Sequence, residues 1–371
     1  MKERLVFVGF GLLASSAAAA IRQSGGGRFH IVAVSSETTC RRAQELALVD
    51  ETHPYEALET AIDDARLVLL CGPILHILEC LDQMRHMRPK ATHPIVVSDI
   101  GSTKQKICAA GERLSAPFVF VGGHPMAGSE KRSIQHHDSS LFENAYWLIT
   151  PPDHIAPETW EPLRDLIDMV GAHPVLLDPA DHDHLMARLS HGPQMIASAM
   201  AAGLPDDILD RGQQHLAGRG FRDMTRIAAS QWPMWRDIIH TNGPEISESL
   251  REFESTVDGI RRAIATPAAS EAALQALFEK GNEIRQSLSA TGKGFSHALH
   301  EVMVHLKDRP GAIAQVINPL ARAGINVLDI ELAKVREGQG GQLLLGFKTV
   351  AAAEAAVRLI ERCGLKVEMR S

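Results

Sequence analysis

Residues 5–23 constrain the fold of this chain more than any other stretch. Leu5-Val6-Phe7-Val8 is an apolar run of strand length, and Gly9-Phe10-Gly11-Leu12-Leu13-Ala14 follows it directly. An alanine-rich segment then predicts a helix to about Gln23. Glycine at position 9 permits a tight turn, glycine at 11 lets the backbone approach a pyrophosphate, and alanine at 14 allows close helix–strand packing. The helix start would face the phosphates with free N–H groups and the positive end of its dipole. Gly9, Gly11 and Leu12 are therefore candidate dinucleotide contacts, and the first part of the chain is expected to form a doubly wound α/β sheet. The same stretch imitates a secretory signal, with Lys2 and Arg4 before the apolar run and Ala17-Ala18-Ala19-Ala20 after it. The run is too short and too interrupted by Gly and Ser to span a membrane, and the turn explains it better.

Further strand–turn–helix units follow. Ile31-Val32-Ala33-Val34 ends at Ser35-Ser36-Glu37-Thr38-Thr39. An acid at the end of this strand commonly binds the ribose 2′-OH of NAD. Here Ser35 and Ser36 come first, with Glu37, Arg41 and Arg42 behind them, so NAD and NADP both stay open and the hydroxyls and arginines incline to NADP. Leu67-Val68-Leu69-Leu70 leads into Cys71-Gly72-Pro73, and Gly72 and Pro73 either border the dinucleotide or make an ordinary turn. Pro94-Ile95-Val96-Val97 leads into Ser98-Asp99-Ile100-Gly101-Ser102-Thr103-Lys104, where Ser102 is a helix N-cap or a hydroxyl presented to the ligand crevice. Val119-Phe120-Val121 stops at Gly122-Gly123, which places His124 at a strand's carboxyl end, with Pro125 and Gly128 bending the chain after it. Ligands of open α/β sheets bind at such ends. An imidazole there is placed to exchange a proton near neutral pH. Residues 141–151 and 174–178 read as the last strands, with an amphipathic helix over 158–170.

The chain has 371 residues, enough for two or three domains, and its 45% hydrophobic content supports ordinary cores. Net charge is −7, so no basic field exists for nucleic acid, and that partner is set aside with membranes. Five cysteines without a CxxC pair argue against a disulfide framework and a metal site and fit a reducing cytoplasm.

Residues 181–287 read as mostly helical. Asp181-His182-Asp183-His184 opens the first helix, and its acids are expected to serve capping and the dipole rather than a metal. His191 and Gln194 share a helix face. Gly218-Arg219-Gly220-Phe221-Arg222 reads as an interhelical loop whose Arg222 is a candidate for an anionic substrate. Trp232 and Trp235 are expected to pack between helices. Residues 286–295 read as a linker. Beyond it come a strand over 298–306, a turn at Asp308-Arg309-Pro310-Gly311, a helix to about 323, strands over 324–330 and 342–348, a helix over 351–362 and a last strand over 366–369. That order is βαββαβ, a ferredoxin-like arrangement. The expected domains are 1–179, 180–289 and 298–371.

These motifs together resemble the prephenate/arogenate dehydrogenase family of tyrosine biosynthesis. The resemblance rests on Gly9 to Leu12, the 98–104 block, Gly123-His124-Pro125-Met126-Ala127-Gly128-Ser129-Glu130, Leu141-Phe142-Glu143-Asn144, Ser190-His191, Gly220-Phe221-Arg222-Asp223-Met224-Thr225-Arg226-Ile227-Ala228 and Pro233-Met234-Trp235-Arg236-Asp237-Ile238. It implies a Rossmann-type domain, an all-helical dimerisation domain and NAD(P)-dependent oxidative decarboxylation of a cyclohexadienol, prephenate or arogenate. It further implies that His124 accepts the ring hydroxyl's proton, Ser102 orients His124 or the hydroxyl, Arg222 holds a substrate carboxylate and His191 faces the substrate. Many members carry a histidine where this chain has Gln194, so the reading of the substrate side chain departs from the family there. A homodimer is implied as well. Asp308-x-Pro310-Gly311 with Gly324-Ile325-Asn326-Val327 resembles the ACT family of amino-acid-binding regulatory domains, and implies an effector such as tyrosine near Pro310, Gly311 and Asn326. Two other classes compete: a hydroxy-acid dehydrogenase, whose helical-domain lysine motif is missing here, and a catalytically silent amino-acid sensor, against which His124, Ser102 and Arg222 speak.

Overall fold

β1 (Glu3–Val8) occupies the middle of a parallel sheet because both of its faces are apolar. Leu5 and Phe7 point into one buried layer, Val6 and Val8 into the other. The computed structural model describes residues 2–25, 27–128, 133–291, 299–307, 309–336 and 340–369. They fall into two units, residues 1–262 and 263–371, each described by itself.

In the first unit the chain alternates strand and helix. The elements are α1 (Leu12–Gln23), β2 (Phe29–Val34), α2 (Glu37–Glu45), β3 (Glu51–His53), α3 (Leu58–Ala61), β4 (Ala65–Leu70), α4 (Ile74–Met84), β5 (Ile95–Asp99), α5 (Gln105–Gly111) and β6 (Phe118–Phe120). The strand order β3-β2-β1-β4-β5-β6 is doubly wound, with its switch point between β1 and β4. α1 buries Ala14, Ala17, Ala18 and Ile21 at helical spacing against the Leu5 and Phe7 face. Helices α3, α4 and α5 cover the Val6 and Val8 face, joined there by Trp235 and Ile238 of the helical region.

His124 does not stand beyond the end of the strand that contains Val119. That strand ends at Phe120. One residue later β7 (Gly122–Pro125) begins a separate sheet, antiparallel to β8 (Tyr146–Thr150), which runs parallel to β9 (His173–Leu176). The two glycines are the cause. A Cβ on Gly123 would lie 2.7 Å from the Asp99 carbonyl oxygen, and one on Gly122 would collide with Thr150 and the Cys108 sulfur. Without side chains, β7 crosses directly over the end of β5. Residues 141–145, expected as strand, form turns instead, with Asn144 at φ 61° and its N–H donating to the Gly171 carbonyl at 2.8 Å. α6 (Glu161–Met169) buries Leu163, Leu166 and Ile167.

Helical structure then takes over: α7 (Pro179–Met186), a π-turn (Ala187–His191), α8 (Gly192–Ala202), α9 (Asp206–Asp210), α10 (Arg219–Thr225), α11 (Trp232–Ala265) and α12 (Pro267–Thr291). Asp178 caps α7 by accepting from the Ala180 N–H at 2.7 Å. α11 is broken at Asn242, two residues before Pro244, whose ring cannot continue an undistorted helix. The segment around Arg222, expected as loop, is helical from Arg219 onward. Trp235 is buried as expected, but Trp232 is 64% exposed. The expected linker is helical to Thr291, and its remainder lies outside the described residues. Among the described residues no helix is long and apolar enough to cross a membrane.

The second unit carries β10 (His300–Leu306), α13 (Ala312–Arg322), β11 (Asp329–Arg336), β12 (Gly340–Phe347), α14 (Val350–Arg362) and β13 (Val367–Met369). This is the expected βαββαβ order, in an antiparallel sheet β11-β12-β10-β13. Val302, Val304, Leu306, Leu343 and Leu345 bury against Val316 and Leu320 of α13 and Ile360 of α14. The expected strand over 324–330 begins only at Asp329, because Gly324 at φ 69° first turns the chain out of α13. Asp308 lies outside the described residues.

The crossing at Gly123 yields a test. Gly123→Ala forces a methyl against rigid backbone and is expected to lower unfolding free energy by about 2 kcal/mol. At Gly128 a Cβ meets nothing within 4 Å, so Gly128→Ala leaves stability unchanged. Urea midpoints of the two variants check this.

Candidate active site

The carboxyl ends of β4 and β5 are where backbone and charge converge. Asp99, the last residue of β5, is fully buried. Its Oδ2 accepts from the Gly101 N–H at 2.8 Å and pairs with the equally buried Lys104 ammonium, while Oδ1 accepts from the Gly123 N–H at 3.1 Å. A buried ion pair is tolerable when further hydrogen bonds satisfy its members, and Asp99 accepts from two backbone N–H groups besides Lys104. The pair fixes the loop between β5 and α5 and pins β7, hence His124, over the sheet edge.

The N-terminus of α5 is not capped by Ser102. Lys104 is its N-cap, and the cap side chain comes from another helix. Asp183 of α7 accepts from the Lys104 N–H at 2.6 Å and the Gln105 N–H at 2.9 Å. Of the two acids expected to serve the start of α7, Asp181 lies in its first turn, where an acid suits the dipole, whereas the cap is Asp178 and Asp183 serves α5. Ser102 is half-buried, and its hydroxyl bonds to none of the described residues.

A chain of imidazoles starts from Asp183. His182 is fully buried, with Nδ1 2.8 Å from Asp183 Oδ1 and Nε2 2.9 Å from His124 Nδ1. The two rings meet edge to face at 5.1 Å. The donor–acceptor roles follow by elimination. A carboxylate only accepts, so His182 Nδ1 carries its proton; neutral His182 then accepts at Nε2, and His124 must donate from Nδ1. The remaining nitrogen of His124, Nε2, keeps a free lone pair. His191 shows the opposite arrangement. The Asn242 amide donates to the Asp183 carbonyl at 2.8 Å and sits 3.3 Å from His191 Nδ1, which leaves a proton on His191 Nε2. The edge of the His191 ring meets Trp235 at 5.9 Å.

All three imidazoles are held in the neutral form. Burial pushes His124 well below the usual imidazole range, and positive charge on His182, Lys104 or His191 pushes it further. Burial lowers His182 as well, against the opposing hydrogen bond to Asp183. Burial lowers His191 to about 4, opposed by Asp183. A neutral, half-buried imidazole with a bare nitrogen, beside the ligand crevice of a doubly wound sheet, is equipped to take a proton from a hydroxyl group.

The dinucleotide elements fit such a ligand. Gly9 has φ 85°, and a Cβ there would lie 3.1 Å from the backbone at Cys71 and Gly72. Gly11 is the N-cap of α1 with nothing within 4 Å of where its Cβ would stand, open room for a pyrophosphate next to Leu12 and the helix dipole. Gly72 leaves space that a Cβ would take from His76, and Pro73 caps α4. Ser35 is buried at the end of β2, and Ser36 is the N-cap of α2.

Two expected substrate residues are tied elsewhere. The Gln194 amide donates to the Ile227 carbonyl at 2.9 Å and Ser198 Oγ at 3.2 Å, and accepts from Ser230 Oγ at 3.2 Å, which fastens α8 to the turn before α11. Arg222 is exposed and donates to the carbonyls of Ala217 at 3.0 Å and His215 at 3.4 Å. α10 does pack on α8, the helix that follows His191. Thus the structure gathers His124, His182 and His191 around the Lys104–Asp99 pair. It joins neither Gln194 nor Arg222 to them by a hydrogen bond. Sequence reasoning missed Asp99, Lys104, His182, Asp183 and Asn242. Two of these lay inside the 98–104 motif, as charged residues immediately after an apolar strand.

Fold and site together define a nicotinamide-dinucleotide-dependent dehydrogenase. Residues 17–176 match the family model described as prephenate dehydrogenase, nucleotide-binding domain; residues 178–295 match its dimerization domain, and 300–354 the ACT domain. A prephenate dehydrogenase of Bacillus subtilis is 30% identical over 364 residues, covering 97% of this chain and 96% of the relative. The arogenate dehydrogenase structure from Synechocystis is 31% identical with a TM-score of 0.65, covering 76% of this chain and 99% of that one. A prephenate dehydrogenase structure from Aquifex aeolicus, in complex with hydroxyphenyl propionate and NAD+, is 25% identical with a TM-score of 0.66 and the same coverage. The chain belongs to the prephenate dehydrogenase family and carries a C-terminal ACT domain.

The buried histidines make stability depend on pH with a definite sign. His191 titrates near 6.5 unfolded and about 4 folded, so below pH 6.5 the unfolded state binds more protons. Its contribution is complete above that pH and falls by about 3 kcal/mol on going down to pH 4. In urea unfolding from pH 7 to 4, His191→Gln is expected to lose less stability than the wild type; equal losses would contradict the assignment.

Proposed function

We propose that this protein catalyses the oxidative decarboxylation of prephenate to 4-hydroxyphenylpyruvate, with the hydride passing to a nicotinamide dinucleotide. The observation that carries the reading is the bare Nε2 of a neutral His124, held over the end of β5. The bound nicotinamide supplies the hydride acceptor. His124 Nε2 takes the ring hydroxyl's proton, the electron pair released at oxygen forms a carbonyl as hydride leaves, and loss of carbon dioxide sends the broken bond's electron pair into the ring, restoring aromaticity as a phenolate that takes the proton back from His124. A base of matched basicity is worth about 10²–10⁴-fold. Ser102, on the loop held by Asp99 and Lys104, orients the hydroxyl. His191 offers Nε2–H to the substrate's acceptors, with Gln194 one turn away on the same layer. Arg222 binds a carboxylate with its planar fork after exchanging its present loop carbonyls for substrate.

A second reading is arogenate dehydrogenase, favoured by the Synechocystis neighbour at 31% identity. The two substrates differ only in a keto or amino group on the side chain, remote from His124. For the cofactor we favour NADP. Ser36 Oγ lies 3.2 Å from Thr38 Oγ1 and 3.0 Å from Thr39 Oγ1, and Arg41 and Arg42 stand one turn on. The one acid among them, Glu37, is paired with Arg41 at 3.0 Å.

A homodimer through the helical domain is part of the proposal. Phe253 and Val257 of α11 are exposed apolar side chains suited to a partner surface. In the second unit a cavity of about 580 Å³ is lined by Arg309, Gly311, Ile313, Asn318 and Leu332. It has room for an aromatic amino acid, with Arg309 for a carboxylate. Pro310 adjoins it in the chain, whereas Asn326 is not among its lining residues.

Nicotinamide absorbance decides between these readings. Turnover is expected with prephenate, at higher kcat/KM with NADP than NAD, and His124→Asn should lose about 10³-fold in kcat while still binding the dinucleotide. Arogenate as the only substrate would move the reading to the alternative, and no turnover with either would end it. Arg222→Ala is expected to raise KM about 10–100-fold with a smaller change in kcat, from loss of a bidentate ion pair. An unaltered KM would remove Arg222 from the substrate site.

A further inference from the structure

The start of α7 holds two buried polar residues that the proposed chemistry does not yet use. His182 and Asp183 are each fully buried, although the neighbouring Asp181 and His184 on the same helix are exposed. Burial of this kind costs free energy unless each polar atom is satisfied. Every atom is. Asp183 receives two backbone N–H groups from α5 and His182 Nδ1–H, and His182 Nε2 receives His124 Nδ1–H. The acceptors point in one direction, from Asp183 outward to His124.

We infer that His182 and Asp183 are positioning residues for the base: through the chain Asp183–His182–His124 they hold the proton of His124 on Nδ1, leave Nε2 bare toward the substrate, and stabilise the imidazolium that forms. This rests on the reading of His124 as the base. Without an acceptor at its Nδ1, neutral His124 is free to carry its proton on Nε2, where it cannot accept another. An imidazole held in the wrong tautomer is a poor base, which is the general reason proton-accepting histidines have an orienting acceptor. When His124 takes the substrate proton on Nε2 it becomes a cation whose Nδ1–H still points at His182 Nε2. His182 in turn keeps its own Nδ1–H on Asp183, so between His124 Nδ1 and Asp183 no atom changes its hydrogen-bonding role during the step. Asp183 is immobile because it is also the cap of α5, and α5 follows the loop that carries Ser102. The base and the proposed hydroxyl partner are thereby indexed to one carboxylate.

Other groups face this pair and remain in place in any variant of it. Lys104 and His191 act on His124; Lys104, Asp99 and Asp183 act on His182. His182 repels a charged His124 only when it is itself protonated, and burial keeps it neutral, so a change in pH dependence on altering it is assigned to the lost acceptor.

Two variants test the inference against the wild-type enzyme. His182→Leu removes the acceptor; His182→Gln keeps an amide oxygen for His124 and an amide N–H for Asp183. For His182→Leu, kcat is expected to fall about 100-fold with KM within about threefold, since the interaction matters when charge develops on His124. The acid limb of kcat/KM moves to lower pH, because the imidazolium loses its acceptor. His182→Gln restores kcat to within about tenfold of wild type, and both variants bind NADPH as the wild type does. Wild-type kcat in His182→Leu, or equal losses in the two variants with an unmoved acid limb, overturns the inference. If His182→Leu fails to fold, His182→Gln decides alone. An amide oxygen is a weaker acceptor than an imidazole nitrogen, so its acid limb must lie below the wild type's, and an identical profile overturns the inference. A wild type inactive on prephenate and arogenate speaks against the proposed reaction instead, which keeps the two failures apart.

Discussion

The carboxylate of Asp183 is the interaction on which the arrangement depends. It belongs to the helical layer but satisfies the first N–H groups of α5, a helix of the sheet domain, at 2.6 and 2.9 Å. Helix starts leave such donors unpaired, and a buried one without a partner costs about 1–3 kcal/mol. The same carboxylate holds His182, and through it His124. A structural debt at a helix end and the orientation of a proton acceptor are therefore met by one side chain. Removing Asp183 would unpair the buried Lys104 amide, the partly buried Gln105 amide and an imidazole at once.

The sheet side supplies the complementary constraint. Asp99 accepts from Gly101 and Gly123 and pairs with Lys104, so the end of β5, the loop to α5 and the start of β7 form one rigid corner. Gly122 and Gly123 let β7 pass close enough for this to happen. His124 thus projects from a short edge strand of the second sheet, pinned to the end of β5, and its cationic neighbour Lys104, fully buried, opposes its protonation. Electrostatics and packing act in the same sense: both keep the imidazole neutral and ready to accept.

Much of this was legible in the sequence, for reasons that differ by element. β1, its glycine turn and α1 were readable because each local preference agreed with the fold: apolar strand, φ > 0 at Gly9, small residues at helical spacing. The βαββαβ order of the C-terminal unit was readable from its alternation of periods, though β11 began late because Gly324 first turns the chain out of α13. Of the second sheet, β8 and β9 were legible as strands, but β7 was not. Gly122-Gly123 reads as a stop in any local pattern, and only the proximity of Asp99 and Thr150 shows why a strand needs glycine there. Of the site, His124 was singled out as a residue following an apolar strand and two glycines, although it lies within β7 itself. His182 and Asp183 were not, because alternating acids and histidines at a helix start look like a solvated cap. Their burial is set by a helix almost eighty residues earlier in the chain. Arg222 and Gln194 were singled out by resemblance and residue type, and in the structure their side chains serve their own loop and turn.

The central claim is a statement about where two protons sit, and it can be read without substrate or cofactor. Imidazole ¹⁵N–¹H correlation spectra of the ¹⁵N-histidine-labelled protein at pH 7 report the tautomer of each ring. The account predicts that His124 and His182 are both neutral with the proton on Nδ1 and a bare Nε2, and that His191 is neutral with its proton on Nε2. A His124 that carries its proton on Nε2, or is an imidazolium at that pH, would contradict it.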